Sequence, residues 1–240
     1  MNLIRKGHRQ SHRGVIGVES AIVMIAFVIV AAALAFVVLN MGFSTTQKAK
    51  TTIGSGLSQA SSSLTVAGKV TGTGCTTSAG GCSTTPRLNV TSVPIKIASG
   101  GDAVNLELAT SSVKYISNSI QYDNIYVGPL GATATDVSAA FTRAQTDYAS
   151  TFTSAIQPVT KAVPSTTKAI VYWSVSTGTY NSILDQGEHA VLAIAHGKGT
   201  VEERPAALDK VRAEIVVATG APLTVERQVP SITTSVVDMG

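Results

Sequence analysis

The chain has 240 residues, of which 13% are charged and 5% aromatic, with a mean hydropathy of +0.27. So few charges point away from a freely dissolved monomer and toward apolar surface covered by membrane or by other subunits. The net charge of +4 sits in the first fourteen residues: without Arg5, Lys6, Arg9 and Arg13, 14 basic residues face 14 acidic ones, which excludes a nucleic-acid reading of the basic pI and suits self-association.

Met1–Gly14 is polar and basic. Ala21–Leu39 is then an unbroken apolar run, with no charge between Glu19 and Lys48. A run this long meets the length of a membrane-spanning helix. It is apolar on every face, so in water it must be covered on all sides. A secretory signal peptide also sets positive charge before an apolar run, but this run is too long for a signal core and no Ala-x-Ala site closes it. Farther on, Ile53, Leu57, Ala60, Leu64 and Ala67 recur at spacings of four and three, which predicts that the helix continues as a narrow-striped amphipathic segment. The predicted helix covers 15–68, roughly 80 Å at 1.5 Å per residue.

Residues 69–87 read as a glycine-rich linker holding Cys75 and Cys82. No histidine lies nearby, so a zinc site is not expected. A local disulfide in an oxidising compartment is the preferred reading, worth roughly 2–3 kcal/mol on the loop-entropy model; the alternative is two free thiols in a surface loop.

From 88 to 240, β-branched runs recur at Leu88–Ile97, Ala103–Leu108, Ser119–Val127, Ala169–Val175, Ala190–Ala195, Val211–Ala218 and Leu223–Val229. Turn signals such as SGGD, GPLG, DQGE and HGKG separate several of them. The expected fold class is therefore α+β: a long N-terminal hydrophobic helix, then an antiparallel β-sandwich of immunoglobulin-like type, with a barrel as the alternative. Val137–Ser150 reads as a short helix inside a Thr- and Ala-rich stretch. Asn89-Val90-Thr91 is a glycosylation sequon.

Motifs of chemistry are missing. His196-Gly197-Lys198-Gly199-Thr200 lacks the spacing of a phosphate-binding loop and reads as a hairpin turn. His189 and His196 flank a strand without a catalytic partner. Asp185-Gln186-Gly187-Glu188 reads as a solvated turn rather than a calcium loop. No cofactor, metal or reaction is expected.

The stretch Arg13-Gly14-Val15-Ile16-Gly17-Val18-Glu19-Ser20-Ala21 resembles the class III leader junction of type IV pilins and archaellins (archaeal flagellins). Ala21–Lys50 and the C-terminal PLTVERQVP…VVDMG are similar to archaellins in particular. The resemblance implies a leader, 1–14, cut between Gly14 and Val15 by a prepilin-type aspartic peptidase that reads Arg13, Gly14, Val15 and Gly17. It implies transient membrane insertion, a membrane assembly platform with a motor ATPase, and a homo-oligomeric helical filament outside the cell that serves swimming. Losing the charged leader would release the helix from the bilayer.

The same resemblance makes Glu19, Phe27, Val30 and Phe36 residues of the assembly helix. Glu19 either pairs with a neighbouring subunit's new N-terminal amine, as in pilins, or favours its own helix dipole in the first turn. It also raises the expectation of a glycan on Asn89. Glu19 is more typical of pilins, so a type IV-like adhesion pilus is the alternative; a single-pass anchored domain that never polymerises is the third reading.

Overall fold

The computed structural model describes residues 13–61, 63–75, 85–160, 162–178 and 181–240. It divides into two units, Met1–Ser55 and Gly56–Gly240. Helix α1, Arg13–Ser61, holds 49 residues without a proline, and Ala, Leu and Met carry much of its propensity. Its polar half is rich in hydroxyls that bond back into the helix: Thr45 to the Met41 carbonyl, Thr46 to Gly42, Thr52 to Lys48 and Ser55 to Thr51, at 2.8–2.9 Å.

The elements that follow are β1 Leu64–Val66, β2 Thr71–Cys75, β3 Arg87–Ile97, β4 Val104–Asn105, β5 Ser112–Ser117, β6 Gln121–Tyr122, β7 Tyr126–Thr133, α2 Val137–Asp147, β8 Lys168–Val175, β9 Ile183–Leu184, β10 His189–Ala195, β11 Lys210–Val216, β12 Leu223–Gln228 and β13 Val236–Asp238. A seven-stranded sheet runs β13-β2-β3-β10-β8-β7, with β1 also on β3. A four-stranded sheet runs β12-β11-β5-β6, and β4 pairs with β9.

The expected helix–sandwich architecture is present, but its boundaries move. The helix stops at Ser61 rather than Gly68, because Leu64 and Val66 pair with Ile97 and Ile95 in β3. Leu64 is buried there, a contact that outweighs the helical spacing. The stretch 69–87 is likewise not all linker, since β2 lies within it. Its glycines fill a packing need: a Cβ on Gly72 would come 2.7 Å from Leu88 Cδ2, and one on Gly74 2.5 Å from Ile232 Cγ2. The run Ser119–Val127 splits between β6 and the start of β7, while β5 and β13 are additional strands.

The sandwich also departs from a purely antiparallel pattern. β7 and β8 are parallel. A parallel pair needs a long crossover, and α2 with residues 148–167 supplies it. Asp136 caps α2 by accepting from Ala139 N at 2.7 Å.

The large sheet is covered on both faces. Val171, Trp173, Leu192 and Ile194 face Val113, Tyr115, Val211 and Ile215 of the small sheet. Ile170, Tyr172, Ala193 and Ala195 pack with Ala140, Phe141, Ala144 and Phe152 from α2 and the segment after it. Burial on both sides explains why β8 and β10 read as continuous apolar runs instead of alternating ones.

Candidate assembly surface

Helix α1 buries nothing within the chain from Gly17 to Leu57. Phe27 is 72% exposed, Val30 56% and Phe36 67%. An 18-residue window within it reaches a mean hydropathy of 3.3, and among the described residues it is the one helix long and apolar enough to cross a membrane. Covering a single Leu, Ile or Phe side chain yields roughly 1.5–3 kcal/mol, so the segment carries a large drive to meet either lipid or other helices. The internally bonded hydroxyls of Thr45, Thr46, Thr52 and Ser55 let the polar half approach other helices without stranding a donor.

Arg13, Gly14 and Val15 lie in the first turn of α1. A Cβ on Gly17 would meet nothing within 4 Å, so packing inside this chain does not require that glycine. Glu19 is exposed on the same helix. Cys75 is buried at the end of β2, whereas Cys82 lies outside the described residues.

Asn89 is a correction to the sequence reading. It is the extra residue of a bulge in β3, where Thr73 pairs with Val90 and Gly74 with Leu88. It is 3% exposed, its Nδ2 donates to the Pro158 carbonyl at 3.0 Å, and its Oδ1 accepts from Arg204 Nη1 at 3.2 Å. The nitrogen that would carry a glycan is sealed in the fold and already engaged, so the folded domain offers no acceptor at this sequon.

Two polar bridges sew the sheets together, between residues that no local motif connects. His196 is fully buried, with Nε2 2.8 Å from Thr91 Oγ1 in the large sheet and Nδ1 3.1 Å from Tyr115 Oη in the small one. A neutral imidazole, donating from one nitrogen and accepting at the other, satisfies both. Glu203 accepts from Tyr122 Oη of β6 at 2.6 Å and from Thr167 N and Oγ1, just before β8, at 2.7 and 2.8 Å. His196-Gly197-Lys198-Gly199 thus lies in the loop between the sheets, and the chain turns back on itself there through the antiparallel bridge between Lys198 and Glu202.

The Asp185–Glu188 turn exposes Gln186 and Gly187, but Glu188 within it is buried. Burial alone would raise the Glu188 pKa, but donors from Thr177 N, Asp185 N, Thr177 Oγ1 and Trp173 Nε1 outweigh it and hold the carboxyl below its ordinary range. Its oxygens are committed to closing the β9–β10 turn onto β8. Among the described residues no group of three or more His, Cys, Asp or Glu side chains is placed to hold a metal.

Residues 14–227 match the family model described as archaeal-type flagellin. The chain belongs to the archaeal-type flagellin family. It is 33% identical over 222 residues to "Probable flagellin 1" of Aeropyrum pernix, spanning 91% of this chain and 93% of that one. It is 38% identical over 106 residues to "Probable flagellin 2" of Archaeoglobus fulgidus, spanning 44% and 51%. In fold it is similar to the archaeal flagellum of Methanospirillum hungatei, with a TM-score of 0.55, 23% identity and coverage of 93% and 99%. The crystal structure of the flagellin FlaB1 from Methanocaldococcus jannaschii matches with a TM-score of 0.54, 17% identity and coverage of 74% and 96%. Family membership places this flagellin among the structural subunits of archaeal flagella, and the exposed helix is its candidate assembly surface.

Proposed function

We propose that this flagellin polymerises through α1 into an extracellular filament that serves swimming. The observation that carries the reading is a helix that is apolar on every face over Ala21–Leu39 and uncovered from Gly17 to Leu57, joined to a β unit with its own complete core. Copies of α1 cover one another, and the β unit meets solvent. We assign the chain no reaction.

Maturation begins with a precursor lodged in the membrane by α1. A prepilin-type aspartic peptidase cuts between Gly14 and Val15, and a membrane platform with a motor ATPase then adds the subunit to the filament. The resemblance of Arg13–Ala21 to a class III junction supports the cut. Cys75 and Cys82 form a disulfide, supported by the absence of any free cysteine among the described residues. N-terminal sequencing of the surface protein tests the scheme: the expected start is VIGVES, and a chain beginning at Met1 or beyond Leu39 overturns it.

A further inference from the structure

Helix α1 runs without a break from Arg13 to Ser61, yet the boundary between the two units falls inside it, between Ser55 and Gly56. The residues at that point are Gly54-Ser55-Gly56. Glycine is the weakest helix former after proline, and two of them within three residues loosen this turn. Packing within the chain does not ask for them. A Cβ on either would meet nothing within 4 Å, and neither has the positive φ of a helix cap. They stand two residues apart, about 200° around the axis, so they do not form one small face for a second helix to approach.

Ser55, between the glycines, loosens the turn further. Its Oγ donates to the Thr51 carbonyl at 2.8 Å, and Thr51 and Thr52 both donate to the Lys48 carbonyl at 2.9 Å. Such back-bonding draws on carbonyls that the helix ladder uses, and it bends helices; Gly/Ser pairs are where helices kink. From Thr51 to Leu57 every residue is exposed, so no packing within the chain splints the turn. Gly42 makes the contrast. It too has open space around it, but it stands alone between Met41 and Phe43, inside one unit.

We propose that Gly54-Ser55-Gly56 is a joint in α1, at which the helix bends so that the β unit turns while the apolar length Ala21–Leu39 is held, by lipid in the precursor or by other helices in a filament. The inference concerns the single chain and stands apart from polymerisation. Double electron–electron resonance on the full chain in detergent micelles tests it. Spin labels are carried by unnatural amino acids in place of Lys50, before the joint, and Lys96, exposed on β3. The native chain should give a broad distance distribution. Gly54→Ala with Gly56→Ala favours the straight helix about fivefold per glycine, about 25-fold together, and should collapse the distribution to one narrow distance. Gly42→Ala should leave it broad. A native distribution already narrow, a double variant as broad as the native chain, or equal narrowing by Gly42→Ala overturns the joint.

Discussion

Arg204 and Asn89 meet at 3.2 Å inside the β unit, the guanidinium donating from Nη1 to the amide oxygen. Arg204 also grips Glu202 through Nε and Nη2, at 2.6 and 2.8 Å. Asn89 thereby joins the β3 bulge to the loop after β10. We expect the peptide containing Asn89 to carry no glycan in mass spectrometry of native filaments. Asn89→Ala should destabilise the β unit by about 1–3 kcal/mol in urea, because it leaves buried polar groups without their partner. A glycan at Asn89, or an Ala variant as stable as the native chain, would contradict this account.

His196 sets an acid sensitivity. Burial, with the charge of Arg204 as a second cause, pushes its pKa from 6.5 down to about 3. The folded ring stays neutral where the unfolded chain binds a proton. Stability from this residue is therefore complete above about pH 6.5 and declines toward pH 3, by up to about 1.4 kcal/mol per pH unit. Glu188 and Glu202 also have lowered folded pKa values, but their contribution is lost only as pH falls below the ordinary carboxylate range. Urea midpoints at pH 7 and pH 5 should differ for the native β unit and converge for His196→Gln. An undiminished pH slope in that variant would remove His196 from the explanation.

These two residues also mark where sequence reading stops. Continuous apolar runs exposed β8 and β10 to inspection, since burial on both faces writes itself into composition. The assembly helix was legible as an unbroken apolar run of helical length. β2 was hidden because Gly72 and Gly74 answer to Leu88 and Ile232, which lie far off in sequence. β1 was hidden because Leu64 fits a helical stripe as well as a strand. The Asn89 sequon is a local pattern, whereas the burial of Asn89 comes from Pro158 and Arg204. Polar bridges such as Tyr115–His196–Thr91 join residues that no spacing rule connects.

Leu208 is held at a φ of +71°, the left-handed region, with 71% of its surface exposed. Its N–H donates to the Val229 carbonyl at 2.7 Å, and its carbonyl accepts from Gln228 Nε2 at 3.1 Å, so the backbone is fixed there. The side chain contributes little burial in return for the strain. Leu208→Gly should stabilise the β unit by up to about 1 kcal/mol, whereas Leu208→Ala keeps the Cβ and should gain nothing. Equal melting temperatures for the Gly and Ala variants would show that the turn is not strained.

The two units are separable in their effects on assembly and folding. Phe27 stands 72% exposed on α1, and a lysine in its place puts an unpaired charge into an apolar bundle at a cost of several kcal/mol per subunit. The β unit depends on none of that surface. Its core spans Leu64 to Met239, and Val70 and Met239 bond to each other where β13 closes the large sheet. Phe27→Lys should therefore abolish filaments while a fragment of residues 56–240 stays folded and soluble. The fragment must include β1, because a start at residue 70 removes Leu64 and Val66 from the edge of β3 and should cost measurable stability. Electron microscopy of the variant and circular dichroism of the two fragments read these outcomes. Normal filaments from Phe27→Lys would show that α1 does not form the core, and an unfolded 56–240 fragment would show that the β unit depends on the helix after all.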